Sequence, residues 1–140
     1  SGFMTSNKQY NEFLNSAHVV IAGSGGEGWG LPEFHSVAMG KHSVIMDATG
    51  YKEWATKENS ELVTPSGKIS SVDGVFFNEG ADYNQGRIYD FDEDAFIDAC
   101  EKVIKRVESN PENEEGLKLQ DEFTYEKTTN QILSSIGYNA

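Results

Sequence analysis

An α/β fold built on a parallel sheet is predicted for this chain, and three observations predict it. Short strand-like runs recur at His18 to Ala22, Ser43 to Met46 and Glu61 to Thr64. The first is apolar on both faces, as suits a strand covered by helices on each side. Helix-forming segments separate the runs, so the order is helix, strand, helix, strand, helix, strand. A glycine-rich turn, Ser24-Gly25-Gly26-Glu27-Gly28-Trp29-Gly30, leads from the first run into a helix opening at Leu31-Pro32. That order offers the free N–H groups of a first helical turn to an anionic or polar ligand.

The elements follow in sequence. Thr5 to Ala17 has Ser6 as a cap and Tyr10, Phe13, Leu14 and Ala17 at helical spacing. The Pro32 helix ends at Gly40, a natural stop. Asp47 to Gly50 is a turn, and Tyr51 to Lys57 is expected as a short helix showing Trp54 and Ala55 to the core. Pro65-Ser66-Gly67 closes the third strand. From Lys68 to Asp90 the chain is rich in glycine and asparagine. Val75-Phe76-Phe77 pairing with Arg87-Ile88-Tyr89 as a small hairpin is one reading there, and a long loop is the other. Asp92 to Glu108 is the clearest helix, with Phe96, Ala99, Cys100, Val103, Ile104 and Val107 in one stripe. Asn110-Pro111 breaks the chain. Two helices are expected beyond it, Glu114 to Glu122 and Tyr125 to Ser135, the second capped by Thr124 and packed by Ile132, Leu133 and Ile136.

The 140 residues suffice for one domain. No apolar run nears the roughly 20 residues of a membrane span. Ser1-Gly2-Phe3 ahead of Met4 reads as an expression remnant, with residues 5–136 as the folded part. The single cysteine, Cys100, excludes an internal disulfide and fits a cytoplasmic setting. A net charge of -12 argues against non-specific nucleic-acid binding, which needs a basic face. Ser24 lacks a His/Asp arrangement for nucleophilic catalysis. The three histidines and Cys100 lack metal-ligand spacing. His18 and His42 flank strands and read as structural. Trp29 reads as a packing or pocket-wall residue.

Ser24-x-x-Glu27-Gly28-x-Gly30-Leu31-Pro32, followed by Ala38-Met39-Gly40, resembles the donor-site signature of GT-B retaining glycosyltransferases of group 1, family four. Thr49-Gly50-Tyr51-Lys52-Glu53 resembles the family's glycine-then-glutamate turn, and Phe123-Thr124-Tyr125 the start of its last helix. The resemblance runs from about Tyr10 to Ile136 and implies a Rossmann-like, partial GT-B C-terminal domain. It covers the distal half of that donor-binding domain. The half that supplies an Arg/Lys pair for the donor diphosphate has no counterpart here.

What the resemblance implies is transfer of a sugar from a nucleotide donor, UDP- or GDP-linked, with no metal or other cofactor required. Glu27 would be the catalytic-site carboxylate that accepts hydrogen bonds from sugar hydroxyls. Gly28, Trp29, Gly30 and Leu31 would line the substrate, with Glu53 further off. His35 stands where the family carries a second, ribose-binding glutamate, and an imidazole gives up the bidentate charged grip. Glu33 cannot take that place, being two positions and roughly 200° around the helix. The rival expectation is a non-catalytic module, truncated or split, that associates with itself or with a chain carrying the other half. A flavodoxin-like nucleotide-binding regulator is a weaker third.

Overall fold

The computed structural model describes residue 4, residues 6–83 and residues 86–138. Helix α1 spans Asn7–Asn15 and is capped by Ser6, whose Oγ accepts from the Gln9 N–H. The predicted helix is thus trimmed at both ends, with Thr5 outside the described residues. Strands β1 (Val19–Ala22), β2 (His42–Met46) and β3 (Glu61–Val63) form one parallel sheet in the order β1-β2-β3. Ile21 stands beside Val44, and Ile45 beside Leu62.

Helix α2 (Leu31–Ala38) connects β1 to β2, and a 3-10 segment, Thr49–Glu53, lies between β2 and β3. Successive right-handed crossovers that advance in one direction leave their connections on one face of a sheet. The core accordingly divides. Val37, Ala38, Tyr51, Trp54 and Leu119 pack with Ala22 and Ile45. A smaller cluster joins Val44 and Val63 to Ala99 and Val103 of α3 (Glu93–Ser109). Of the expected α3 stripe, Ala99 and Val103 are buried with Phe96 and Cys100 packed beside them, whereas Ile104 is exposed, and Asp92 caps the helix by accepting from the Ala95 N–H. Arg106 Nε lies 2.6 Å from Glu61 Oε1, tying the last turns of α3 to β3.

Three local expectations are corrected. The helix expected over Tyr51 to Lys57 is the 3-10 segment, which starts two residues earlier. The expected pairing of Val75–Phe77 with Arg87–Tyr89 does not form, and Arg87–Asp90 (β5) pairs antiparallel with Gly67–Ser70 (β4). Val75, Phe76 and Phe77 instead form a turn in which all three N–H groups donate to Asp73 Oδ1. The helix expected over Glu114 to Glu122 is broken at Lys118 into α4 (Glu114–Leu117) and α5 (Leu119–Glu122).

The last helix, α6 (Tyr125–Ser135), is capped by Thr124 as expected. Its Ile132 and Ile136 are exposed rather than packed. Among the described residues, no helix is long and apolar enough to cross a membrane.

Both outer strands of the main sheet, β1 and β3, are edges. On β1, Ile21 is 57 % exposed, so a strand apolar on both faces is left open on one side.

A chain of buried polar groups fastens the opposite end. Ser43 Oγ donates to Ser60 Oγ, which donates to Asn59 Oδ1. Asn113 Nδ2 donates to the carbonyls of Lys41 and Asn59. His42 is buried with Nε2 2.8 Å from the Asn110 carbonyl. A carbonyl only accepts, so Nε2 carries the proton. His42 is structural, as expected, whereas His18 is solvent-exposed.

Candidate functional site

The glycine-rich turn leaves the carboxyl end of β1 and is held from two sides. On one side the Glu27 N–H donates to Thr49 Oγ1 (3.2 Å) and the Gly50 N–H donates to the Glu27 carbonyl (3.0 Å). On the other, the Tyr89 N–H of β5 donates to the Gly25 carbonyl (3.0 Å). Trp54 Nε1 donates to the Trp29 carbonyl at 2.8 Å. A side chain at Gly50 would run into the Gly28 backbone, so glycine is what lets the two loops meet. Thr49 itself sits at φ 53, an unusual conformation for a β-branched residue. Its hydroxyl bond to Glu27 is part of what holds it there.

Gly30 ends the turn in the left-handed region, φ 74, and serves as N-cap of α2 without a side-chain bond. Pro32 has no N–H to leave unpaired. The N–H groups of Leu31 and Glu33 have no partner among the described residues. Trp29 packs edge-on against Phe34 and Phe123, and Phe34 against Trp54. Trp29 is thus a packing residue, one of the two roles expected of it.

The Glu27 side chain is partly exposed and makes no hydrogen bond or ion pair with a described residue. Its backbone is fixed while its carboxylate is free to accept. Glu53 closes the 3-10 segment with an exposed side chain. Lys52, the cation of the 3-10 segment, pairs with Asp47 at 3.3 Å.

His35 is turned elsewhere. Its Nδ1 is 3.1 Å from Tyr10 Oη, with the two rings edge to face. It lines a groove of about 490 Å³ between α1, α2 and α5, bounded by Asn7, Tyr10, Asn11, Met39 and Gln120 among others. None of the turn residues Glu27 to Leu31 lines that groove. The expected site residues therefore form two groups, with Glu27 to Leu31 on the turn and His35 facing α1.

Two residues beside the turn, Tyr51 and Glu33, were not among the expected site residues. The Tyr51 ring lies where a side chain on Gly30 would be, and Glu33 Oε2 is 3.1 Å from that same position. Tyr51 is fully buried, and its hydroxyl has no hydrogen-bond partner among the described residues. A buried hydroxyl left unpaired costs about 1–3 kcal/mol. Burial first, then the nearby charges of Glu33 and Glu27, push the Tyr51 phenol well above its ordinary range. Burial and Glu33 raise Tyr10 as well. Glu33 therefore acts electrostatically on both tyrosines. A left-handed glycine followed by a first-turn acid was the one sequence signal for the Glu33 position.

No protein-family model matches the chain, and no curated protein matches it. Among the described residues, no group of three or more His, Cys, Asp and Glu converges in a way that could hold a metal ion.

Proposed function

We propose that this chain is the distal half of the nucleotide-sugar-binding domain of a GT-B retaining glycosyltransferase of the group 1, family four type. In this reading the turn from Glu27 to Leu31 receives the sugar of a UDP- or GDP-linked donor. The observation that carries the reading is Glu27: a carboxylate without a partner among the described residues, on a backbone fixed by Thr49 and Gly50, at the carboxyl end of a parallel strand. Open α/β sheets bind ligands at that end.

Glu27 accepts from sugar hydroxyls, and the Leu31 and Glu33 N–H groups face the ligand's polar atoms. In transfer, a departing diphosphate needs positive charge. Helix α2 offers only its partial dipole, so the cations of the reaction come from outside these residues. Calorimetric titration with UDP-, GDP- and ADP-sugars, using Glu27→Ala as control, tests this. Saturable binding to one nucleotide class, lost in the variant, is the expected result. Absence of binding to all three would remove the reading.

A second reading, an association module without turnover of its own, is favoured by the open edge of β1 and the exposure of Ile21. An apolar edge strand is a template for pairing. The two readings are compatible where pairing completes the sheet.

A further inference from the structure

We infer that Tyr51 is a positioning residue for the sugar: when a sugar fills the face of the first α2 turn, the Tyr51 hydroxyl donates to the Glu33 carboxylate and fixes it as a second acceptor beside Glu27. The inference rests on the proposed donor-binding reading and adds two residues to it.

Four observations converge on this pair. The Tyr51 side chain is completely buried, yet its hydroxyl lacks a partner among the described residues. Native proteins pair nearly all such groups, and an exception at a ligand-facing turn calls for an explanation. The ring passes beside Gly30, which has no side chain to block it, and Glu33 Oε2 reaches the same place. Glu33 lies in the first turn of α2 and makes no hydrogen bond or ion pair with a described residue. The α2 N-terminus has no side-chain cap.

The chemistry of the acceptor pair selects its ligand. Two carboxylates, Glu27 and Glu33, flank this turn, and like charges repel a phosphate. A polyhydroxylated, uncharged group suits them, because each carboxylate oxygen accepts from a hydroxyl. The sugar, rather than the diphosphate, therefore belongs here. Glu33 alone swings on a flexible side chain. A donor from beneath restricts it to the orientation that serves the ligand, a gain through preorganisation.

Removing the hydroxyl tests this with two opposed readouts. Tyr51→Phe keeps the ring and deletes only an unpaired group. Its Tm is expected to equal or exceed that of the parent. Its affinity for whichever nucleotide sugar the parent binds is expected to fall about ten-fold, with affinity for the corresponding free nucleoside diphosphate unchanged. Glu33→Gln is expected to weaken the same ligand, and adding Tyr51→Phe to it is expected to cost nothing more, as for residues acting through one contact.

Equal binding by the parent and Tyr51→Phe would overturn the inference and leave the donor reading standing. So would a lowered Tm, since it would mean that the hydroxyl already has a partner. Additive losses in the double variant would overturn it too. Failure of the parent to bind any of the UDP-, GDP- or ADP-sugars would remove the donor reading, and this inference with it.

Discussion

Tyr10 Oη and His35 Nδ1 are 3.1 Å apart, and this bond joins α1 to the outer face of α2. It commits the imidazole to the α1 side, away from the glycine turn. Replacing His35 by Ala removes a half-buried hydrogen bond and an edge-to-face ring contact. A loss of about 1–2 kcal/mol is expected in urea unfolding. His35→Glu restores the residue that the resembled family carries. The Tyr10 hydroxyl can donate to a carboxylate there as well, so the fold is expected to survive. Because position 35 faces α1 and not the glycine turn, nucleotide-sugar affinity in calorimetry is expected to stay unchanged.

Glu27→Ala separates function from folding. The carboxylate makes no bond with a described residue, so unfolding free energy is expected to stay within about 0.5 kcal/mol of the parent. Donor binding is expected to disappear. A large stability loss would show that the side chain is structural, and the proposed role would fall.

Gly50→Ala does the reverse. The added methyl meets the Gly28 backbone, and backbone cannot yield as a flexible side chain does. A loss of about 2 kcal/mol or more is expected, with the turn released from the 3-10 segment. Denaturant titration gives the first quantity. Exchange of the Glu27 amide gives the second.

Asp73 gives a pH dependence. Its carboxylate accepts backbone N–H bonds, that of Phe77 the strongest and that of Val75 next, and these hold its pKa below the ordinary 3.8. A depressed folded value stabilises the charged, folded form. The turn is therefore fully held above pH 3.8 and released as pH falls through the lowered folded value. Proton NMR of the Val75, Phe76 and Phe77 amides is expected to show three signals moving together in that acid window. Asp73→Asn is expected to abolish the joint shift.

The open edge of β1 predicts association with a second copy. A concentration-dependent rise in sedimentation coefficient is expected, and Ile21→Lys, which puts a charge on the edge, is expected to abolish it. A parent that sediments as a monomer at every concentration, with Val19 to Ala22 amides exchanging freely, would contradict this.

Legibility in the sequence follows the burial of each part. The three parallel strands are apolar where the sheet is covered, and the caps Ser6, Asp92 and Thr124 are local chemistry, so all were readable. Strand β4, Gly67-Lys68-Ile69-Ser70, is exposed throughout and has no apolar alternation to reveal it. Backbone pairing alone sets its register, and the apolar Val75 to Phe77 drew the expectation away. Ile132 and Ile136 have helical spacing but no surface to meet, and periodicity cannot report that difference. At the candidate site, the turn was legible from its glycine spacing, and Glu27 was singled out by the resemblance to the glycosyltransferase signature. Tyr51 was not. Its importance comes from a missing side chain at Gly30, twenty-one positions earlier, and from a hydroxyl that no pattern marks as unpaired.

The chain contains two tryptophans, and they meet at the turn: Trp54 donates its indole N–H to the backbone carbonyl of Trp29. Ultraviolet emission excited at the red edge of protein absorbance therefore arises from this one place. Trp54 is nearly sealed, while Trp29 is partly open to solvent. The protein carries its own optical gauge of the clamp, with one indole to report solvent arriving and the other to report the interior opening, and no label is needed to watch it.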